Sequence, residues 1–233
     1  MIKIPKMWAI CRSCRGLKLA TRVPGLLAVL VATGCGGDSP TAPGRTPTPL
    51  IVVDDFERSD LGNNWTVYNG AVGIINRSDL GVVAVSGSAL GLGVAAWRAN
   101  SFSADQFSEG RLSADMDPRV AFQVFVRRRI SDNQRYGFHW SPFLGRFEIK
   151  RDGGPAAPVL AFAAGVPVAP GDLIRIEVRG SVIRGYRNGE LILTAEDREL
   201  TQPGQPGVVQ NVAQATRFPS AGFEDWRGGN LDP

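Results

Sequence analysis

The sequence has few of the residues that build disulfides and metal sites. Its three cysteines, Cys11, Cys14 and Cys35, lie at the amino-terminal end, so no pair remains to cross-link a domain beyond them. Histidine occurs once, as His139, and a lone histidine does not supply the ligand set of a zinc site. No serine or cysteine occupies a nucleophile motif. The sequence therefore predicts a domain that folds without disulfides, and it contains no recognisable catalytic set.

Positive charge is concentrated at the amino terminus. Six of the 26 basic residues, and none of the 22 acidic residues, precede Cys35. From Cys35 on, 20 basic residues remain against 22 acidic ones, so this part of the chain is mildly acidic. The net charge of +4 for the whole chain therefore does not indicate nucleic-acid binding.

The chain lacks an apolar run long enough to span a bilayer. The basic segment is followed by a short apolar run, Gly25 to Thr33, which is about half of the roughly 20 residues that a membrane-spanning helix needs. A basic segment followed by a short apolar segment is the order of a secretory signal peptide. We therefore expect export rather than a permanent transmembrane anchor.

The end of the apolar run resembles a bacterial lipobox, Val31-Ala32-Thr33-Gly34-Cys35. In lipoproteins this resemblance implies cleavage before Cys35, diacylglycerol on its sulfur and acylation of the new amino terminus. Several acyl chains together give stable anchoring where one gives only marginal binding. The alternative is an ordinary signal peptide followed by a coincidental cysteine.

A spacer follows the lipobox. Gly36 to Pro49 is rich in Pro, Gly, Ser and Thr, a composition that cannot form a core and stays extended. We divide the chain into a signal peptide (1–34), a lipid-anchored linker (35–49) and a folded domain (50–233). Since Gly36 rather than Asp follows the cysteine, analogy with the sorting rule of enteric bacteria favours the outer membrane, with the domain exposed to the periplasm or the cell surface.

The folded domain has the pattern of an all-β protein. Gly171 to Asp197 predicts a three-stranded meander, in which Ile174, Ile176 and Val178 alternate with charged residues and Asn188-Gly189 forms a hairpin turn. No window shows a sustained helical period, and about a dozen short strands are separated by turn residues. Pro203 to Gly207 is interpreted as a break. The pattern predicts a β-sandwich or barrel.

The motifs of the domain resemble those of concanavalin A-like lectins and glucanases, a jelly-roll class that includes LamG-like domains. The resemblance rests on Asp54-Asp55-Phe56-x-Arg58 with Leu61 and Trp65, on Tyr186-x-Asn188-Gly189, and on Phe223-Glu224-Asp225-Trp226. It implies a two-sheet antiparallel jelly-roll sandwich in which the termini pair, with Val52 to Phe56 against Ala221 to Trp226.

The sequence favours binding over catalysis. The glucanases of this class carry a Glu-x-Asp-x-x-Glu run, which is absent here. The densest acidic cluster, Glu196 to Glu199, has the wrong spacing and is interpreted as a solvated turn. Sugar rings stack on aromatic side chains and bond to polar groups at the rim of a site. We therefore expect a non-catalytic module for a carbohydrate or other polymer.

The predicted ligand-binding residues lie on strands that line the concave sheet in this fold. The aromatic and histidine candidates are Trp97, Tyr136, His139 and Trp140, and the candidate rim donors are Arg127, Arg129 and Arg135. For the tryptophans, core packing is the alternative interpretation, and for His139 a hydrogen-bonded residue on a sheet face is favoured over a catalytic base.

Other features stay open at this level. No cofactor is required, but relatives hold a structural Ca²⁺ near the paired termini, where Asp55 and Asp225 could supply oxygen ligands. The remaining functional alternatives are a divergent glycan hydrolase and a structural or adhesive domain that binds a protein. The sequence does not give the oligomeric state.

Overall fold

The described part of the chain is built from antiparallel β-strands. In the computed structural model the described residues are 49–70, 72–77, 80–85, 91–114, 120–212 and 222–232. All of them lie within one compact unit, Thr46–Pro233. These residues form no α-helix, and therefore no helix that is long and apolar enough to cross a membrane. The predicted signal peptide, Cys35 and most of the linker lie outside the described residues.

Fifteen strands are formed by the described residues. In chain order they are β1 (Ile51–Asp54), β2 (Trp65–Asn69), β3 (Val72–Arg77), β4 (Leu80–Val85), β5 (Gly91–Trp97), β6 (Gln106–Leu112), β7 (Val120–Arg128), β8 (Arg135–Ser141), β9 (Arg146–Asp152), β10 (Val159–Ala164), β11 (Leu173–Arg179), β12 (Val182–Arg187), β13 (Glu190–Glu196), β14 (Gln205–Val212) and β15 (Phe223–Asn230).

The strands divide into two sheets. The eight-stranded sheet has the order β13-β12-β11-β6-β15-β4-β3, with β1 as a further partner of β15. The seven-stranded sheet has the order β10-β9-β8-β7-β14-β5-β2. This is the two-sheet antiparallel sandwich that the sequence predicted.

The sheets pack through alternate side chains, which follows from the two-residue period of a strand. One face of β7 and one face of β11 meet in the core, and their six side chains are at most 1% exposed: Phe122, Val124, Val126, Ile174, Ile176 and Val178. The predicted meander is confirmed, since β11, β12 and β13 are consecutive neighbours. Its turn residues Asn188 and Gly189 have φ values of 51° and 82°, the positive values that a type I′ turn needs.

The interpretation of Pro203 to Gly207 as a break was wrong, because β14 begins at Gln205 and lies between β7 and β5. Pro206 is accommodated by an irregularity in the register with β7 between Gln205 and Gly207. Proline donates no ladder hydrogen bond, so a bulge is one of the few places where an inner strand accepts it.

The termini of the domain pair as expected, but in another register. Val52 lies opposite Gly228 and Asp54 opposite Trp226, so β1 contacts the second half of β15. Of the predicted partner segment, Ala221 lies outside the described residues.

The Asp54 carboxylate organises the entry of the chain into the sandwich. Its Oδ1 accepts hydrogen bonds from the Phe56 N–H at 2.9 Å and from Arg58 at 2.6 Å. Its Oδ2 accepts from Arg58 at 2.7 Å and from the Trp65 indole N–H at 2.6 Å. Arg58 also donates to the Leu61 carbonyl oxygen. The residues of the opening motif are therefore the members of one hydrogen-bond network, which explains their spacing.

Three tryptophans pack together beside this network. The ring centroids of Trp65 and Trp226 are 4.7 Å apart, and those of Trp97 and Trp226 are 5.4 Å apart in a stacked arrangement. The Trp226 indole N–H donates to Ser108 Oγ, which in turn donates to the Gly207 carbonyl oxygen. The cluster thus connects β2, β5, β6, β14 and β15 across the two sheets.

We expect Asp54→Ala to lower the free energy of unfolding by about 3 kcal/mol, because it leaves a partly buried arginine and two N–H donors without their acceptor. Chemical denaturation followed by tryptophan fluorescence would measure the change. Asp60→Ala is the matched control, since Asp60 is exposed and accepts one hydrogen bond from the Gly62 N–H. Equal losses for the two variants would contradict the role assigned to Asp54.

Candidate functional site

The outer face of the seven-stranded sheet carries a different set of side chains from its inner face. On β8, Tyr136, Phe138 and Trp140 pair across the strand with Val126, Val124 and Phe122 and lie in the core. The alternate residues Arg135, Gly137 and His139 therefore point away from the core. This solvent side of the sheet is the outer face.

Three of the predicted ligand-binding aromatics are core residues, which corrects the sequence interpretation. Trp97 belongs to the tryptophan cluster, and Trp140 packs on Phe147 with ring centroids 5.1 Å apart. The Tyr136 hydroxyl donates to Asp197 Oδ1 at 2.6 Å and accepts from the Leu200 N–H. Burial and the bond to Asp197 raise the pKa of Tyr136. These rings contribute to packing and are not available on the outer face.

In the acidic cluster, Glu196 and Glu199 are exposed, as predicted, but Asp197 is not freely solvated. Besides the Tyr136 hydroxyl, Asp197 binds Arg151 Nη1 at 2.8 Å, and its side chain is 9% exposed. Asp197 therefore connects the segment after β13 to the start of β8. The prediction was wrong for Asp197 because the acidic sequence alone does not show that a tyrosine from another strand contacts this residue.

The predicted rim arginines separate in the structure. Arg127 is buried and donates to the carbonyl oxygens of Ala104, Gly180 and Leu200, so it ties the ends of several strands together. Burial lowers the pKa of Arg127. Arg129 lies in the β7–β8 turn and pairs with Asp132 at 2.6 Å. Of the three predicted rim donors, only Arg135 lies at a groove on the outer face.

This groove has a volume of about 280 Å³. Its lining combines polar, charged and small apolar side chains from β5, β7, β8, β9, β14 and the adjoining turns: Leu92, Ala121, Gln123, Asn133, Arg135, His139, Lys150, Asp152 and Val209 among others. Two residues named from the sequence, His139 and Arg135, are part of it.

Gly137 shapes the floor of this groove. A Cβ atom added at this position would lie 2.0 Å from Gln123 Nε2, so any other residue would displace the glutamine. Because Gly137 has no side chain, the Gln123 side chain lies across β8 and donates to Asp152 Oδ2 at 2.5 Å. Lys150 Nζ lies 3.3 Å from Asp152 Oδ1 on the same strand face. The carboxylate of Asp152 is therefore held between an amide and an ammonium group.

Two arginines border the groove. The Arg135 Nε–H donates to Gln123 Oε1 at 3.3 Å, and its Nη1 donates to the Asn133 carbonyl oxygen. Arg128 donates to Asn133 Oδ1 at 2.7 Å, and its guanidinium lies 3.2 Å from the centroid of the Tyr68 ring. Asn133, a turn residue with a φ of 61°, thus connects the two guanidinium groups.

A second polar group lies farther along β8 and β9. Arg146 binds Glu148 Oε1 at 2.6 Å, and His139 Nδ1 lies 3.5 Å from Glu148 Oε2. The interactions with His139 and Arg146 together lower the pKa of Glu148 to about 2, although burial alone would raise it. Arg146 is the firmer partner, since 3.5 Å is at the long limit of a hydrogen bond.

An exposed aromatic ring adjoins this group. Phe162, opposite Glu148 on the edge strand β10, is 58% exposed, and the Arg146 guanidinium lies 4.3 Å from its ring centroid. From position 152 to position 146, β9 covers about 20 Å at the rise of a β-strand. The outer face therefore presents a polar track that starts in the groove and reaches an aromatic ring at the sheet edge.

A larger cavity of about 480 Å³ lies beside the β1–β15 seam, and both predicted calcium ligands line it. Its charged groups are mostly paired with one another: Arg111 contacts Asp225 at 3.3 Å, and Arg227 binds Glu109. Asp55 Oδ1 accepts the Glu57 N–H. Within the described ranges no three His, Cys, Asp or Glu side chains are grouped to hold a metal ion. The Ca²⁺ site stays a prediction. As a ligand-binding site, the groove on the outer face is a better candidate than this cavity, because the arginines at the groove are less fully paired.

Alternation along β8 was the signal that sequence reasoning did not use. In Tyr136-Gly137-Phe138-His139-Trp140 the large apolar residues occupy every second position, which predicts that they share the core face and that His139 opposes them. Gln123, Lys150, Asp152 and Phe162 give no comparable signal, since their position at one site depends on the pairing of β7, β8, β9 and β10.

We expect Glu148→Gln to destabilise the domain at about pH 7 and to lose this effect on acidification. A carboxyl group with a lower pKa in the folded state stabilises the fold while it is ionised. For Glu148 this contribution is complete above the ordinary pKa of 4.5 and is lost as the pH falls toward about 2. Unfolding midpoints measured across this range would show it, with Glu190→Gln at an exposed hairpin position as the control. A difference that does not change with pH would contradict the assignment.

Comparison with solved structures places the fold. A Bacillus subtilis protein of unknown function with a galectin-like fold aligns with a TM-score of 0.60 and 11% identity, over 79% of this chain and 96% of that chain. The Bacillus subtilis carbohydrate-binding module CBM66 aligns at 0.51 and 16% identity, over 72% and 92%. The endo-β-1,3-glucanase of Pyrococcus furiosus aligns at 0.56 and 11% identity, over 79% and 95%. No protein-family model and no curated protein sequence matches the chain. The domain is a concanavalin A-like jelly-roll sandwich, a fold it shares with carbohydrate-binding modules and glucanases.

Proposed function

We propose that the domain is a non-catalytic carbohydrate-binding module and that its ligand lies along the outer face of the seven-stranded sheet. The observation that carries the proposal is the track from the groove to Phe162, which combines hydrogen-bonding side chains with an exposed aromatic ring. Sugars need this combination, because their hydroxyl groups require polar partners while their ring faces stack on aromatic side chains. Fold kinship with carbohydrate-binding modules agrees with it.

Hydrolysis is less well supported by the carboxylates of the same face. Glu148 and Asp152 point to one side of β9, but four residues of strand separate their backbones by about 13 Å. Glycoside hydrolases place their two carboxyl groups about 5–10 Å apart and raise the pKa of the general acid. The pKa of Glu148 is lowered, and Asp152 is bound by Gln123 and Lys150. Both groups are arranged as fixed anions rather than as a proton donor and a nucleophile.

The lipobox-like segment suggests where this binding takes place. In our proposal the sulfur of Cys35 carries the lipid, and the Pro-rich linker to residue 49 separates the membrane from the domain. The protein would then hold a glycan at the cell envelope, with the outer membrane as the favoured location.

We expect Phe162→Ala to weaken binding to a glycan on the order of tenfold, because it removes the exposed stacking surface. Affinity electrophoresis against a panel of soluble polysaccharides would first find a ligand and then compare the variants. The free energy of unfolding should change by no more than about 0.5 kcal/mol, since the ring is largely exposed.

Leu191→Ala is the control for this variant, because Leu191 is 50% exposed on the other sheet. Equal binding by the Phe162 variant and the parent protein would remove Phe162 from the site. Unchanged mobility across the whole panel would contradict glycan binding itself and favour the alternative of a protein-binding domain.

We expect Cys35→Ser to abolish lipid attachment and to release the protein from the membrane fraction, because the thiol that accepts the lipid is lost. Metabolic labelling with a clickable palmitate analogue, followed by fractionation, would measure both effects. Cys14→Ser is the matched control and should keep the label. Label retained by the Cys35 variant, or absent from the parent protein, would contradict the anchor.

A further inference from the structure

Two arginines on the outer face, Arg128 and Arg135, differ from most arginines of the domain in having no carboxylate partner. Among the described residues, no carboxylate oxygen lies within 4.0 Å of the guanidinium nitrogens of Arg128 or Arg135. Both arginines are at most 4% exposed. By contrast, Arg111, Arg146, Arg151, Arg175 and Arg187 each bind an Asp or Glu.

The hydrogen bonds of the two guanidinium groups leave donors over. Arg128 uses Nε and Nη1 on Asn133 Oδ1 and Gln205 Oε1, and Arg135 uses Nε and Nη1 on Gln123 and the Asn133 carbonyl. A guanidinium has five N–H donors, so each arginine keeps donors with no protein acceptor in the described ranges. All the acceptors that they do have are neutral, and neutral acceptors do not compensate the charge.

Asp152 does not supply the missing countercharge. It lies opposite Arg135 across the β8–β9 pair and attracts it at longer range, but its oxygens are engaged by Gln123 and Lys150. Lys150 and Asp152 offset each other, and the two arginines then leave the groove and its border with a surplus of positive charge. His139, whose Nδ1 lies 3.5 Å from Glu148 Oε2, faces the same groove.

This arrangement costs the folded protein free energy that an anion would recover. Two like charges are held near each other, and both are withdrawn from water. Burial lowers the pKa of Arg135, Asp152 raises it, and the neighbouring Arg128 lowers it again. Buried cations normally have an acidic partner. Two buried arginines without such a partner beside an open groove are a feature of binding sites rather than of scaffolds.

We propose that the groove binds the carboxylate of a uronic acid unit, so that the ligand of the domain is an acidic polysaccharide. The proposal rests on the proposed function, since it takes the same face as the glycan site. The planar guanidinium of Arg135 matches a carboxylate, and Asn133 places Arg128 beside it. Gln123 and the apolar edge formed by Leu92 and Val209 are suited to the hydroxyl groups and the ring of the sugar.

The test compares one polymer with and without its charge. The full-length chain, purified in detergent, would be run in native gels that contain polygalacturonate or its fully methyl-esterified form. The two polymers have the same sugar chain, so a difference reports the carboxylate. We expect the acid form to bind about tenfold or more tightly than the ester, the scale of a charge-assisted hydrogen-bond pair.

Two substitutions with opposite expected effects on the affinity for the acid form separate a loss of the binding site from a folding defect. Arg135→Met should reduce binding of the acid form to the level of the ester, while Arg184→Met, which removes the same charge from β12 of the other sheet, should leave it unchanged. Asp152→Asn removes the acidic side chain from the described groove lining and should bind the acid form more tightly than the parent protein. Tighter binding by the Asp152→Asn variant could not result from partial unfolding, because unfolding would weaken binding.

The outcomes separate this inference from the proposed function. Binding of neutral glucans or of the ester as tightly as of the acid form would overturn the inference and leave glycan binding in place. Equal retardation by polyglutamate would also overturn it, since it would show attraction to any polyanion. An intact Arg135 variant with full affinity for the acid form, or weaker binding after Asp152→Asn, would remove the groove from the site. No binding to any glycan would contradict both proposals.

Discussion

The pairing register of β7, β8 and β9 is the constraint on which both the core and the groove depend. Successive side chains of a strand point to opposite faces of the sheet. A shift of the pairing register by one residue therefore moves every side chain to the other face. With Phe122 opposite Trp140, the rings of β8 enter the sandwich and His139 faces outward. With Arg135 opposite Asp152, the polar ends of β8 and β9 meet in the groove. Core packing therefore fixes the site, because the apolar residues hold the register that gathers the polar ones.

The sequence predicted the fold better than the site, and particular residues show why. Asn188-Gly189 and the alternation of Ile174 to Val178 are local signals, and the structure confirmed what they predicted. Trp97, Tyr136 and Trp140 lie on the predicted strands. Their assignment as ligand-binding residues was wrong because it did not consider which face of the sheet each side chain occupies. Strand β14 was missed because Pro206 marks a turn in isolation and is tolerated here by a bulge that only the partner strands create.

Arginine has three different uses in this domain, and the environment decides which one applies. On the outer side of the eight-stranded sheet, Arg175 and Arg227 join Glu109 in a ladder of paired charges. At the strand ends Arg127 donates mainly to carbonyl oxygens, with Asp105 as a further partner at 3.3 Å, and it connects several segments. At the groove Arg135 meets neutral acceptors and an open space, and the adjoining Arg128 also donates only to neutral acceptors. The residue type alone gives no prediction, whereas its set of partners does.

The strands that the chain supplies last occupy the middle of both sheets. β14 separates β7 from β5, and β15 contacts β6 on one side and β1 and β4 on the other. Pairing of the first strand with the last closes a loop of almost the whole domain, which makes folding slow. Neither sheet can be completed before its late strand, β14 or β15, is available, so the strand topology itself makes closure of the sandwich depend on the presence of almost the whole domain.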